Sequence, residues 1–304
     1  MKILILIVFT FAAAAVLPLQ ARTWTASDGR TLEADYVSAT DTEVKLRRAS
    51  DGRVFTLPLT RLSDEDQAFI KEQADNPPPP APVEGEYADH ITGDWHKATH
   101  GKLPYVFYAS KSLDPAKKYP LVVSLHGKSD NNENGLQIGF SRTFTKESFY
   151  SERPCLVLAP LCYQPHGATG GGWSAAPGEE TLDLVKDLIK KLPLIDPDRV
   201  YVIGYSMGGF GTWHFLKEEP RLFAAGVPVA GGSSNVGKLR SMPIWAFHGD
   251  KDSVVPVALS RQCAEELKRS KVFKYTEIAG GGHGIIMEVL NDEKVHEWLF
   301  AQKR

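Results

Sequence analysis

Beyond residue 21 the hydrophobic and polar positions follow two different rhythms. In residues 22–72 apolar residues alternate with polar ones in short runs, as in TWTASDGRTLEADYVSA and EVKLRRASDGRVFTLPL. Alternation of this kind predicts strands with one buried face. Each run carries SDGR, at Ser27–Arg30 and Ser50–Arg53. Asp-Gly between alternating apolar positions predicts a hairpin turn, because glycine adopts a positive φ at little cost. TRLSDEDQAFIKEQ then predicts a short helix capped by Ser63, with Asp66 as an acidic partner in its first turn. Short strands plus one helix predict a small β-barrel.

From Tyr87 onward the rhythm changes. YPLVVSLHG and PCLVLAP are continuous apolar runs of buried-strand length, whereas EETLDLVKDLIKKL repeats Leu182, Val185, Ile189 and Leu192 on one helical face. DRVYVIGYS predicts a strand and MGGFGTWHFLKEE the helix after it. AAGVPVAGG, PIWAFHG and FKYTEIAG add three more strands, and DWHKATHGKLPYVFY predicts an early hairpin. Strands alternating with helices predict an α/β fold with a mostly parallel sheet covered on both faces. Between the two rhythms lies QADNPPPPAPVEGE. Its proline run favours an extended, semi-rigid spacer, so residues 73–86 are taken as the linker between domains 22–72 and 87–304.

The start of the chain fits neither pattern. MKILILIVFTFAAAAVLPLQA has one lysine, an apolar run, then Pro18 and Ala21. It predicts a signal peptide over residues 1–21, hence export to the periplasm or exterior with no membrane anchor after cleavage. The apolar core is short for a span, which needs ~20 residues. The whole chain of 304 residues has a net charge of −2, which gives no basic footprint for a nucleic-acid partner. Three cysteines, Cys155, Cys162 and Cys263, exclude a fully paired framework. Cys155 and Cys162 flank an extended run and are too far apart to bridge; a bridge to Cys263 stays open.

The chemistry concentrates in VIGYSMGGFG. Gly204-Tyr205-Ser206-Met207-Gly208 lies between a predicted strand and a predicted helix, the context a nucleophile elbow requires. Ser206 needs a base. An acid and then a histidine should follow it along the chain. AFHGDKDSVVP offers Asp250 and Asp252 at the end of a strand, and spacing alone does not choose between them. His283, in YTEIAGGGHG after the last strand, supplies the imidazole. The Met207 N–H, first in the helix, is one candidate oxyanion donor. His126 and His248 end strands and are expected to stabilise loops. His90, His96 and His100 lack the spacing of zinc motifs, so no metal or other cofactor is expected. Trp173, beside three glycines in QPHGATGGGWSAAP, could wall the cleft or pack as a loop residue. Tyr205, next to the serine, is the second candidate for substrate contact.

LHGKSDN, LVLAPLC, DPDRVYVIGYSMGGFGTW, FAAGVPVAGG, PIWAFHGDKDSVVP and GGGHG together resemble the α/β-hydrolase superfamily. The resemblance is to secreted esterases and predicted peptidases related to dienelactone hydrolases and to the prolyl oligopeptidase catalytic domain. It implies that Asp252, before x-x-V-P, is the triad acid, and that Lys128 or Gly127 gives the second oxyanion donor. RTWT, the two DGR turns and LPLTRLSDEDQAFI resemble a small SH3-like domain (the SLA-homology type), which implies a peptide- or partner-binding module or a stabilising appendage. The fold expected is thus an α/β-hydrolase preceded by an SH3-like β-barrel. The activity expected is that of a serine carboxylesterase acting on small or polymer-borne esters, including acyl or feruloyl esters of plant polysaccharide. A prolyl-oligopeptidase-type serine peptidase and a non-catalytic binding protein are the alternatives.

Overall fold

The computed structural model describes residues 22–75, 83, 85–128, 133–164 and 171–304. The signal-peptide segment, most of the proline stretch and residues 165–170 of the Trp173 loop lie outside the described residues. The chain forms two compact units divided between residues 79 and 80.

The first unit is a four-stranded antiparallel sheet in the order β1 (Arg22–Thr25), β2 (Thr31–Ala39), β3 (Glu43–Arg48) and β4 (Val54–Pro58). The two Asp-Gly turns join β1 to β2 and β3 to β4, with Gly29 at φ 83° and Gly52 at φ 69°. Trp24, Ala34, Val44 and Leu46 form the core with Leu62 and Ile70. The helix α1 (Asp64–Asp75) extends beyond residue 72. The Ser63 hydroxyl accepts the Asp66 N–H at 3.3 Å, the cap expected from the sequence. Asp66 does more than sit in a first turn. It is buried, and its carboxylate accepts from Arg22 at 2.6 Å and from the Thr25 N–H at 2.6 Å, which ties the helix to β1.

The second unit opens with the predicted hairpin, β5 (His96–His100) and β6 (Leu103–Tyr108). It continues through β7 (Tyr119–Leu125), the short helix α2 (Glu147–Tyr150), β8 (Leu156–Pro160), α3 (Ala176–Lys191), β9 (Ile195–Tyr205) and α4 (Met207–Glu218). Then follow β10 (Ala225–Val229), β11 (Ile244–Gly249), α5 (Ala258–Leu267), β12 (Phe273–Ile278), α6 (Ile286–Asn291) and α7 (Glu293–Phe300). The eight strands lie in the order β12-β11-β10-β9-β7-β8-β6-β5. From β12 to β8 every pairing is parallel; β6 runs antiparallel to both β8 and β5.

Burial explains why these strands are continuous apolar runs. Every residue of β7, β8 and β10 is buried, as a sheet covered on both faces demands. Leu121, Val123 and Val202 face Leu184, Val185 and Trp213 on one side. Val122, Val157 and Ile203 face Phe144, Val295 and Leu299 on the other. Each such side chain contributes about 1.5–3 kcal/mol by leaving water. All three cysteines are free and buried in these layers. This is the α/β-hydrolase fold, and it leaves the chain ends of β9, β10, β11 and β12 side by side at one edge.

Candidate active site

Ser206 occupies the one residue between β9 and α4. Its backbone lies at φ 56°, ψ −117°, a conformation that costs a side-chain-bearing residue about 1–3 kcal/mol. Neighbouring structure holds it there: its N–H donates to the Val229 carbonyl on β10 at 2.9 Å. The flanking glycines are steric necessities. A Cβ at position 208 would sit 1.8 Å from the Leu125 carbonyl oxygen, and one at position 204 would sit 2.1 Å from the Gly208 oxygen. The helix therefore starts in van der Waals contact with β7, and the serine is thrust clear of the sheet.

His283 Nε2 lies 2.9 Å from Ser206 Oγ, and its Nδ1 lies 2.8 Å from Asp252 Oδ2. The three side chains proposed from the sequence thus form one continuous hydrogen-bonded line. Asp252 follows β11, and its Oδ1 accepts the N–H groups of Val254 at 2.8 Å and Val255 at 2.9 Å. Burial works to raise the Asp252 carboxyl. The hydrogen bond from His283 and the two backbone N–H groups outweigh it and leave the group below its ordinary value. Asp250 has a different task. Its Oδ1 accepts the Gly280 N–H at 2.7 Å and so shapes the loop that carries His283.

A second histidine, whose link to Asp252 the sequence did not disclose, stands behind this line. His248 is fully buried; its Nε2 lies 3.2 Å from Asp252 Oδ2 and 3.0 Å from the Val255 carbonyl. Both are acceptors, so Nε2 carries a proton. Its Nδ1 lies 2.7 Å from Ser260 Oγ, which in turn lies 2.6 Å from the Gly231 carbonyl. His248 stabilises its loop, as expected from its place at a strand end. It also backs the Asp252 carboxylate.

The loop after β7 meets the elbow from the other side. A Cβ at Gly127 would lie 3.4 Å from the Ser206 Cβ, so this loop borders Ser206. His126 braces the loop: its Nε2 accepts the Cys162 N–H at 3.0 Å, and its Nδ1 donates to the Gly127 carbonyl at 2.6 Å. Here the structure corrects one sequence-based alternative. Trp173 is fully buried and cannot wall a cleft. Its Nε1 donates to the His126 carbonyl at 3.1 Å, and the absence of a side chain at Gly211 leaves the slot its indole fills. Tyr205 remains half-buried, its ring 5.1 Å from that of His283.

The structure also changes the histidine grouping near the start of this unit. Among the described residues, Asp89, His90 and His96 bring potential ligand atoms within 4.8 Å of one another, and His100 is not part of that group. Both His90 nitrogens have protein partners, Asp89 at 2.6 Å and the Tyr105 hydroxyl at 2.8 Å.

Residues 168–241, the segment holding the elbow, match the prolyl oligopeptidase family. The chain is 34% identical over 155 residues to a bifunctional acetylxylan esterase/xylanase of Neocallimastix patriciarum, covering 49% of this chain and 21% of that protein. It is 30% identical over 158 residues to the acylamino-acid-releasing enzyme of Arabidopsis thaliana, covering 47% of this chain and 19% of that one. The chain thus spans about a fifth of the length of these curated relatives. Among solved structures, a thermostable esterase superposes with a TM-score of 0.63 at 27% identity, covering 88% of this chain and 76% of that one. These likenesses support a hydrolase of esters or peptides.

Proposed function

We propose that the protein is an exported serine hydrolase that cleaves carboxylic esters through an acyl-enzyme, its substrates including acyl or feruloyl esters of plant polysaccharide. The observation that carries this reading is the unbroken line from Ser206 through His283 to Asp252, with bonds of 2.9 and 2.8 Å. Ser206 Oγ attacks the ester carbonyl as its proton passes to His283 Nε2. Asp252 holds Nδ1–H and stabilises the imidazolium. The negative charge on the former carbonyl oxygen falls toward the N–H of Met207 and that of Gly127 or Lys128. Collapse expels the alcohol, which takes the proton from His283. Water then adds to the acyl-enzyme with the same base, releasing the acid and restoring Ser206.

Peptide hydrolysis is the second reading, and the match of residues 168–241 to the prolyl oligopeptidase family favours it. Residues 22–72 are proposed as an SH3-like module for a peptide or protein partner, carried with the enzyme after removal of residues 1–21. The test is the mature chain and its Ser206→Ala variant on 4-nitrophenyl esters of graded length, methyl ferulate, acetylated xylan and peptide anilides. Ester turnover that disappears in Ser206→Ala is expected. Turnover of anilides alone would replace the esterase reading with the peptidase one, and turnover unaffected by Ser206→Ala would remove both.

A further inference from the structure

The pocket beside α4 is a separate feature from the triad. It encloses about 340 Å³ and is lined by Ser174, Phe210, His214, Ser233 and Gln262 among others. None of its lining residues belongs to the triad or the oxyanion loop, and none carries an Asp, Glu, Lys or Arg side chain. We infer that it is a subsite for one neutral, hydroxyl-bearing sugar ring on the alcohol side of the ester, an inference that rests on the esterase reading above.

Ser174 follows β8, Phe210 and His214 follow β9, Ser233 follows β10 and Gln262 follows β11. These segments follow four parallel strands of the sheet, and open α/β sheets bind ligands outside the carboxyl ends of such strands. Phe210 lies in the first turn of α4, whose N-terminus Ser206 caps, so the pocket begins about 6 Å along the helix axis from that end.

Phe210 is half-buried and offers an aromatic surface to the C–H face of a ring. Serine hydroxyls and the Gln262 amide each donate and accept. Burial holds the His214 imidazole below its ordinary value, so it stays neutral, with one donor and one acceptor. A fatty acyl chain would cover polar side chains with hydrocarbon, and a peptide amine would find no carboxylate in the lining. One cation touches the lining: Lys217 Nζ donates to Ser233 Oγ at 3.3 Å and to the Ser234 carbonyl at 3.0 Å. The volume is at the low end of small-molecule sites, about 300–1,000 Å³, and fits one ring rather than a chain of them.

The experiment compares kcat/KM on mono-acetylated xylobiose with that on 4-nitrophenyl acetate, for the wild type, His214→Ala and the exposed-site variant Gln262→Ala. In both variants the ratio should fall, and in His214→Ala by about tenfold, the worth of one or two hydrogen bonds. In parallel, saturation-transfer NMR follows unmodified xylobiose on Ser206→Ala and on Ser206→Ala/His214→Ala. The signal should be present in the first and lost in the second. An unchanged ratio in both variants, or equal xylobiose signals, would overturn the assignment. If the wild type hydrolyses neither ester, the esterase reading fails, and the NMR comparison alone decides the subsite.

Discussion

Replacing Asp252 by asparagine tests the triad through a constraint that the surroundings impose on the amide. Asp252 Oδ1 accepts two backbone N–H groups, from Val254 and Val255. An asparagine that places its carbonyl oxygen there keeps both bonds, and its NH₂ then occupies the Oδ2 position, also facing the His248 Nε2–H. That position faces His283 Nδ1 at 2.8 Å. A donor facing Nδ1 forces the imidazole proton onto Nε2, which then points at Ser206 Oγ as a donor and cannot accept the serine proton. The same exchange of tautomer in the well-studied serine triad lowers turnover about 10⁴-fold, which corresponds to about 5.4 kcal/mol of lost transition-state stabilisation. Asp250→Asn keeps the oxygen that receives the Gly280 N–H and should cost only a few-fold. The assay is kcat/KM on 4-nitrophenyl acetate, with circular dichroism to confirm folding of each variant. If Asp252→Asn keeps most of its activity while folded, or Asp250→Asn is the crippled enzyme, the tautomer argument fails.

Ser206→Gly should be more stable than Ser206→Ala by about 1–3 kcal/mol, because glycine relaxes the strain at φ 56°; urea unfolding of the two inactive variants compares them directly. His248→Ala strips a buried partner from Asp252 and from Ser260 and should cost about 1–3 kcal/mol of stability together with a loss of kcat; a variant with wild-type kcat would show that His248 does not back the acid. The thiols should not react with a disulfide reagent at pH 8 in the native protein. Burial pushes Cys162 and Cys263 up to about 11 and raises Cys155 as well, so the three thiols should titrate only after denaturation. The carboxyl of Asp252 is held below its ordinary value, so the stability it contributes is present above the unfolded carboxylate pKa, about 3.9. That contribution should be lost as pH falls through the lower folded value, and an acid-unfolding midpoint unchanged in Asp252→Asn would contradict it.

The parts of the site legible in the sequence are those set by local backbone needs. Gly204 and Gly208 announce the elbow because any Cβ there would strike the backbone of Gly208 or Leu125. The apolar runs of β7, β8 and β10 announce a sheet buried on both faces. Side-chain exposure was less legible. Trp173 beside glycines invited a cleft wall, yet the slot that buries it is made by Gly211 on a distant helix. Asp66 looked like a first-turn acid and proved to be the buried partner of Arg22, far away in the chain. In the sequence only the resemblance distinguishes Asp252 from Asp250, since alternate residues of an extended chain face the same way. The geometry now gives a physical reason, in that one acid reaches the imidazole and the other the Gly280 amide.

The order of the sheet carries a consequence for how the chain acquires activity. The central strand β9 pairs with β7, Leu121 opposite Val200, so the segment containing β8 and α3 must be looped out before the pair can form. Pairings of that sequence separation form slowly, because the loop must be closed before the contacts compensate it. Ser206 is aimed only when β9 lies between β7 and β10, and Asp252 and His283 arrive with the ends of β11 and β12. No early, local fragment contains a working site. During refolding from denaturant, helix content should return before hydrolysis does, and the late return of hydrolysis would mark the closing of the parallel sheet.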